Sequence, residues 1–106
     1  MNKVLVIACF ASVFASGGAL ASDLGAGKEK SKTCVACHGP DGNSPMADFP
    51  KLAGQHHDYL VKALNDYKSG ARKNAIMAPQ VANLSKRDIA DIAAFYSHQQ
   101  GLKLKY

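Results

Sequence analysis

Tryptophan is absent from the sequence, and aromatic residues make up only 8% of its 106 residues. Large aliphatic side chains are also few outside the amino-terminal segment. A single hydrophobic core is marginal in a small domain unless a disulfide, a metal or another bound group adds to it. We therefore expect a bound group to supply part of the apolar interior.

Cysteine is scarce too, and the three cysteines are Cys9, Cys34 and Cys37. Structural zinc usually takes four ligands from two cysteine pairs, and the sequence has no second pair. A thioredoxin-like redox site needs Cys-x-x-Cys between a strand and a helix, but no strand pattern lies near Cys34 and Cys37. A plain disulfide remains an alternative, because two thiols in an oxidising compartment tend to pair.

The first 21 residues have the pattern of a secretory signal peptide. Lys3 gives a positive start, residues 4–14 are almost unbroken apolar, and residues 19–21 read Ala-Leu-Ala, a small-x-small cleavage pattern. We predict a signal peptide at residues 1–21 and one domain at residues 22–106, which has 85 residues. The mature domain is then periplasmic, with no stable insertion in the membrane.

Two alternatives to this interpretation of the amino-terminal segment remain. The apolar run is near the length that a bilayer needs, so the segment could stay as an anchor, although Gly17 and Gly18 weaken its end. The stretch VIAC that ends at Cys9 superficially fits a lipid-attachment motif, but it comes too early in the chain. If the signal peptide is removed, Cys9 leaves with it and the mature chain keeps Cys34 and Cys37.

Cys34 and Cys37 are followed directly by His38 in the stretch KTCVACHGPDGN. Positions i, i+3 and i+4 share one face of a helix, and residues 24–36 lack proline and are compatible with a helix. Two thiols on one face can form thioether bonds to the two vinyl groups of a haem while the adjacent imidazole reaches the iron. The pattern Cys-x-x-Cys-His therefore predicts attachment of a c-type haem.

The rest of the chain predicts an all-α domain with three helices, two long loops and no strand. The second helix has an apolar stripe and a stop at Gly70, and the third opens at a capping pair of Ser85 and Asp88. The predicted helices are residues 24–36, 58–69 and 85–101, with loops at residues 39–54 and 71–84. Loops this long in a small domain indicate that an internal group organises them.

The second axial position of the iron has five candidate ligands, which are Met46, Met77, His56, His57 and His98. Met77 lies 39 residues after His38, in an apolar stretch where Pro79 should prevent a helix, and the stretch can fold over the opposite haem face. Met46 comes only eight residues after His38, and the three histidines lie near predicted helix ends, where exposed or capping roles are common. Met77 is the predicted ligand; the other four, an open site and a core role for Met77 are alternatives.

Over the whole of residues 22–106, the chain resembles the small bacterial class I c-type cytochromes, and in particular one half of the dihaem cytochrome c4 type. The resemblance rests on CVACHG at residues 34–39, FPKLAGQ at 49–55, IMAP at 76–79 and LS at 84–85. It implies the class I cytochrome c fold wrapped around a covalent haem. Since the sequence has no second Cys-x-x-Cys-His, one haem is expected.

The resemblance also implies roles for individual residues. Met77 would be the distal iron ligand opposite His38, and the carbonyl oxygen of Pro50 would accept a hydrogen bond from the outer nitrogen of His38. Gly27 would lie where the first and last helices cross, against Tyr96.

Three lysine and arginine residues near these positions raise further expectations. Lys30 stands where relatives often have an apolar residue, so the helix crossing should be less apolar than usual. Arg72 and Lys73 come just before the distal loop, and they either pair with a haem propionate or lie on the surface.

With both axial positions filled, the site predicts an electron-transfer protein and not an enzyme. We expect a periplasmic carrier that moves one electron at a time between redox complexes such as a quinol-cytochrome c reductase and a terminal oxidase. Removal of Lys3 leaves 12 basic and 8 acidic side chains, a mildly basic balance that suits partners with acidic docking faces. Nucleic acid is rejected as a partner, because the lysines are spread along an exported chain.

Three alternative functions stay open at this point. The domain could be the haem-bearing electron-transfer subunit of a dehydrogenase complex. It could be a gas sensor in which Met77 leaves the iron and a gas molecule binds. A thiol-disulfide protein without haem is the third, and it would be colourless.

Overall fold

The computed structural model describes residues 22–102, and these residues form an all-α domain without a strand. Its helices are α1 (Leu24–Lys30), a 3₁₀ turn (Ser31–Thr33), α2 (Val35–His38), α3 (His57–Ser69), α4 (Met77–Val81) and α5 (Lys86–Ser97). The predicted fold class is confirmed. The predicted signal peptide lies outside the described residues. Between residues 22 and 102, no helix has the length and apolarity needed to cross a membrane.

The first predicted helix is divided into α1, the 3₁₀ turn and α2, so the prediction of one continuous helix was wrong. α1 begins at Asp23, whose Oδ1 accepts the N–H of Ala26 at 3.0 Å. Near its end, the hydroxyl of Ser31 donates to the carbonyl oxygen of Lys28 at 2.9 Å. A side-chain donor that binds a helical carbonyl oxygen in this way competes with the main-chain hydrogen bonds of the helix. This competition accounts for the tighter 3₁₀ turn that follows α1.

α1 and α5 cross in close contact at Gly27, which is buried. A Cβ atom built on Gly27 would lie 2.7 Å from the carbonyl carbon of Asp91 and 2.8 Å from Cβ of Phe95. The helix crossing therefore requires glycine at this position. Its nearest neighbours across the crossing are Asp91 and Phe95, the residue before Tyr96, and the expected contact with Tyr96 itself stays a prediction.

An ion-pair cluster beside this crossing accounts for Lys30. Its ammonium lies 2.7 Å from Asp91 Oδ2 and 3.0 Å from Asp88 Oδ1. Asp91, whose side chain is 1% exposed, also accepts the main-chain N–H of Asp23 at 2.9 Å and faces Arg87 Nε at 3.2 Å. A buried carboxylate is tolerated when it is paired and hydrogen-bonded in this way. Lys30 thus joins α1 to α5 through charge, which agrees with the expectation of a less apolar crossing.

α3 and α5 form the core of the domain. Leu60 of α3 packs against a buried cluster on α5 that consists of Ile92, Ala93, Phe95 and Tyr96. α3 begins one residue before the predicted start and ends at Gly70, which has a left-handed conformation with φ of 84°. These observations confirm the apolar stripe of the second predicted helix and its stop.

α5 begins as predicted, with a capping box in which Ser85 and Asp88 each accept the other's main-chain N–H. It ends at Ser97, four residues before the predicted end at Gly101. The imidazole of His98 donates a hydrogen bond from Nδ1 to the carbonyl oxygen of Ala94 at 2.8 Å. This carbonyl belongs to the last turn of α5. The helix therefore stops at this side-chain cap.

α4 lies in the stretch that was predicted to be a loop, and this prediction was wrong. Pro79 is the third residue of α4. The N–H groups of the first helical turn have no acceptor within the helix, so proline is tolerated there. A proline at this position marks the start of a helix and does not prevent one.

Candidate haem site

A cavity of about 570 Å³ lies between the helices. Its size falls within the range of about 300–1,000 Å³ that is usual for small-molecule and cofactor sites. The loop of residues 48–55 forms part of the wall, and the apolar side chains of the wall include Leu52, Leu60, Leu64, Val81, Leu84 and Ile92. The predicted apolar stripe of α3 faces this cavity. Such a chamber fits a large, mostly apolar ring.

Cys34 and Cys37 both line the cavity, and both are free thiols. The carbonyl oxygen of Cys34 accepts the N–H of Cys37 at 3.3 Å and that of His38 at 2.9 Å, so the three residues occupy a single helical turn. Burial raises the pKa of the Cys34 thiol. Two unpaired thiols one turn apart on an apolar wall fit two thioether bonds to the edge of one ring.

His38 is buried and lies 2.8 Å, measured from Nδ1, from the carbonyl oxygen of Pro50. A carbonyl oxygen can only accept, so Nδ1 carries the proton and Nε2 keeps its lone pair for a metal ion. The loop that presents Pro50 is fixed by the carbonyl oxygen of Gly42, which accepts the N–H groups of Leu52 at 2.8 Å and Ala53 at 3.1 Å. The main chain thereby sets the tautomer and the orientation of the imidazole.

Met77 lines the same cavity as His38, at the first residue of α4. Oδ1 of Asn74 accepts the N–H groups of Ile76 and Met77, each at 2.9 Å, and so holds the turn that carries Met77. The other four candidate ligands, Met46, His56, His57 and His98, do not line the cavity. Met46 is 53% exposed. The structure thus brings together the two thiols, His38 and Met77.

The role of Asn74 was not predicted from the sequence. An asparagine three residues before the first residue of a short helix is a recognisable capping pattern, but the assignment of residues 71–84 to a loop hid it. Tyr96 of α5 is only 1% exposed, and burial raises the pKa of its hydroxyl to about 12. A neutral phenol is therefore part of the cavity wall.

Two thiols and a buried imidazole on one helical turn, beside an apolar cavity in an all-α domain, define a haem-binding domain of the c type. The model of the cytochrome c family matches residues 24–100, and the chain belongs to this family. It is a family of electron-transfer proteins and not of enzymes. Haem c is covalently bound through Cys34 and Cys37, with His38 completing the motif.

The chain is similar to several characterised cytochromes. It is 45% identical over 100 residues to cytochrome c4 of Pseudomonas aeruginosa, a match that covers 94% of this chain and 50% of that protein. It is 47% identical over 83 residues to cytochrome c-554(548) of Halomonas halodenitrificans, covering 76% of this chain and 100% of that protein.

The crystal structure of reduced recombinant cytochrome c4 from Pseudomonas stutzeri is similar, with a TM-score of 0.73 and 46% identity. The match covers 77% of this chain and 48% of that one. The chain therefore spans about half the length of the cytochrome c4 relatives that it matches. The resemblance to class I cytochromes is confirmed.

Proposed function

We propose that this protein is a periplasmic one-electron carrier in which His38 and Met77 are the two axial ligands of the haem iron. The observation that carries the proposal is the placement of His38 and Met77 on one cavity with the two haem-binding cysteines. Alternation of the iron between its ferrous and ferric forms supplies the redox chemistry when the haem is bound.

The residues around the cavity would favour the reduced form of a bound haem. A neutral imidazole with a thioether stabilises ferrous iron more than two imidazoles would. The hydrogen bond from His38 Nδ1 to Pro50 opposes this preference in part, because it raises the basicity of the imidazole. The apolar wall acts in the same direction as the thioether, since burial disfavours the additional positive charge of the ferric state.

With His38 and Met77 as its ligands, the iron would have no open position for a substrate. The function that suits this arrangement is exchange of one electron with another protein, with little rearrangement of ligands. A quinol-cytochrome c reductase as donor and a terminal oxidase as acceptor are the proposed partners. The mildly basic charge balance supports brief, salt-sensitive complexes with acidic docking faces. The periplasmic location is supported by the signal-peptide pattern of residues 1–21.

Optical spectra of the purified holoprotein in both oxidation states test the proposal. We expect the weak far-red band of methionine bound to ferric iron in the wild-type protein. Met77→Ala should abolish this band, whereas Met46→Ala, which changes an exposed methionine of the same type, should keep it. A band that survives Met77→Ala, or a bis-histidine spectrum in the wild type, would overturn the ligand assignment.

The alternative functions have separate readouts. A gas sensor would bind carbon monoxide in the ferrous form at neutral pH, and a dehydrogenase subunit would migrate in a large complex during gel filtration of a native extract. For a carrier we expect neither. Oxidation of the ferrous protein by a membrane fraction that contains a terminal oxidase should be rapid, and a ferrous protein that no respiratory oxidase accepts would contradict the carrier function.

A further inference from the structure

Arg72 borders the haem cavity, and the adjacent cation Lys73 does not. Both residues are exposed and both follow the end of α3 by a few positions. For both residues, the sequence left open either a contact with a haem propionate or a position on the surface. The structure separates the two residues in this respect. Lys73 lies on the surface away from the cavity lining, while Arg72 faces the chamber that holds the haem.

The position of Arg72 is fixed against α3 in two ways. Its main-chain N–H donates to the carbonyl oxygen of Asp66 at 3.0 Å. Its guanidinium carbon lies 4.7 Å from the centre of the Tyr67 ring, within the range of a cation–π contact. Tyr67 also lines the cavity. The guanidinium is thus held over an aromatic face at the edge of the site.

No carboxylate of residues 22–102 pairs with Arg72. The lysine and arginine residues that form ion pairs in this part of the chain are Lys30, Lys32, Lys62 and Arg87. The whole segment of residues 70–84 contains no aspartate or glutamate. A guanidinium presents planar N–H groups that match a carboxylate in bidentate geometry, and it is more weakly hydrated than an ammonium group. Arg72 is therefore available for a carboxylate that enters with the haem.

We propose that Arg72, held on the Tyr67 ring, binds a propionate carboxylate of the haem and raises the reduction potential. A positive charge at this edge partly neutralises the carboxylate, and it disfavours the ferric state, which carries one more positive charge than the ferrous state. The inference rests on the haem site of the proposed function, and it adds a positioning pair, Tyr67 and Arg72, to that site.

The lining contains two other charged side chains, Asp48 and Lys51, in the loop next to Pro50. Lys51 shares this loop with a carboxylate, whereas Arg72 shares its segment with none. Arg72 is also the cation with an aromatic support. These two differences favour Arg72 over Lys51 as the carboxylate-binding residue.

The test compares the reduction potentials of holoprotein variants that lose one charge at neighbouring positions. Arg72→Gln should shift the oxidation equilibrium about three- to tenfold toward the ferric form, where tenfold corresponds to 59 mV for one electron. Lys73→Gln removes the same charge one residue away and should change the equilibrium less than about twofold, because an exposed charge outside the site is screened. Arg72→Lys should lie between Arg72→Gln and the wild type.

Further measurements separate a charge effect from a change of structure. The difference between wild type and Arg72→Gln should shrink at high salt, and the redox-induced infrared bands of haem carboxylates should change in Arg72→Gln but not in Lys73→Gln. Tyr67→Leu should reproduce part of the shift, and the double variant with Arg72→Gln should add little to Arg72→Gln alone.

Equal shifts for Arg72→Gln and Lys73→Gln, or carboxylate bands that do not change in Arg72→Gln, would overturn the inference. Spectra of the same samples report on the proposed function independently. If the covalent haem and the far-red band are retained while the potential does not move, the role of Arg72 fails and the electron carrier stands.

Discussion

The crossing of α1 with α5 and the cavity wall at residues 70–80 differ in how deeply other residues of the chain bury them. Residues 91–96 of α5 are all buried, against α1 on one side and α3 on the other. Residues 70–80 are exposed with one exception, the half-buried Met77. The crossing is stabilised by contacts within the chain, whereas the wall has few of them.

This difference shows how the domain distributes its stability. A small domain without tryptophan has too few large side chains to pack two cores, and it concentrates them at α5. The segment that presents Met77 is held by the Asn74 turn and by the ammonium of Lys68, which donates to the carbonyl oxygen of Leu84. Bonds to the haem should therefore contribute more to the stability of the wall than to that of the crossing.

The strongest test of the comparison is Gly27→Ala. The new methyl group would overlap the main chain of Asp91, which cannot move without displacing α5. We expect a loss of at least about 3 kcal/mol in the free energy of unfolding, or failure to fold. Denaturant titration of the holoprotein, followed by helical circular dichroism, measures this loss.

Gly25→Ala is the matched control for that substitution. A Cβ atom at Gly25 meets nothing closer than Asp23 Oδ1 at 3.3 Å. Alanine is the better helix former, so this variant should unfold at the same denaturant concentration as the wild type or slightly above it. Equal stability of the two variants would show that the crossing is not as tightly packed as the structure indicates.

A smaller effect is expected from Asp91→Asn, which tests the charged part of the crossing. The hydrogen bond from Lys30 holds the pKa of Asp91 below its ordinary value. Loss of the charge should cost about 1.5–3 kcal/mol at neutral pH, which is the usual contribution of hydrogen bonds to a charged group. Asp66→Asn, in the surface pair with Lys62, should cost no more than about 0.5 kcal/mol.

The pH dependence of stability follows from the same shift. A carboxyl group with a lowered folded-state pKa stabilises the fold above its ordinary pKa of about 3.9, and this contribution is lost as the pH falls through the folded value. The unfolding temperature of the wild type should therefore fall over this acid range. In Asp91→Asn the same fall should be smaller. The pKa of Lys30 is raised by its hydrogen bond to Asp91, so Lys30 stabilises the fold fully below the ordinary lysine pKa. This contribution is lost only at alkaline pH. An unchanged acid limb in Asp91→Asn would contradict the role of this cluster.

The same comparison explains which parts of the structure the sequence could predict. The α3 stripe, the stop at Gly70 and the capping box of Ser85 and Asp88 are local patterns, and each one appears in the structure. The haem motif is local too, since three residues on one turn carry it. Local spacing sufficed in these cases, because the neighbours that decide the geometry lie within four residues.

Predictions that depended on distant partners were less successful. The nearest neighbours of Gly27, which are Asp91 and Phe95, were not named from the sequence, because the relative rotation of α1 and α5 is set by contacts 64 to 68 residues apart in the chain. The helix at Met77 was missed because Pro79 was interpreted without the preceding Asn74, whose side chain defines the start of the turn. The proposed role of Pro50 came from the resemblance alone, whereas Met77 was already favoured among the five candidate ligands by its position in an apolar stretch far from His38.

The smallest expected effect on global stability, and the most selective, belongs to Asn74→Ala. This change removes the acceptor for the N–H groups of Ile76 and Met77 and should cost about 1 kcal/mol locally. Because the cavity wall has few other contacts, the loss should appear as easier detachment of Met77. Imidazole added to the ferric protein should abolish the far-red band at about fivefold lower concentration than in the wild type. A free-energy change of about 1 kcal/mol corresponds to about a fivefold change in an equilibrium constant.

Ser85→Ala provides the contrast, because it removes a cap of similar strength from α5. This variant should lose about 1 kcal/mol in global unfolding while its imidazole titration stays within about twofold of the wild type. If both variants changed the imidazole titration equally, the wall and the core would unfold as one unit. A selective effect of Asn74→Ala would show that the segment carrying Met77, the proposed distal ligand, has a locally set stability. Such an arrangement would let the chain adjust the iron site without weakening its core.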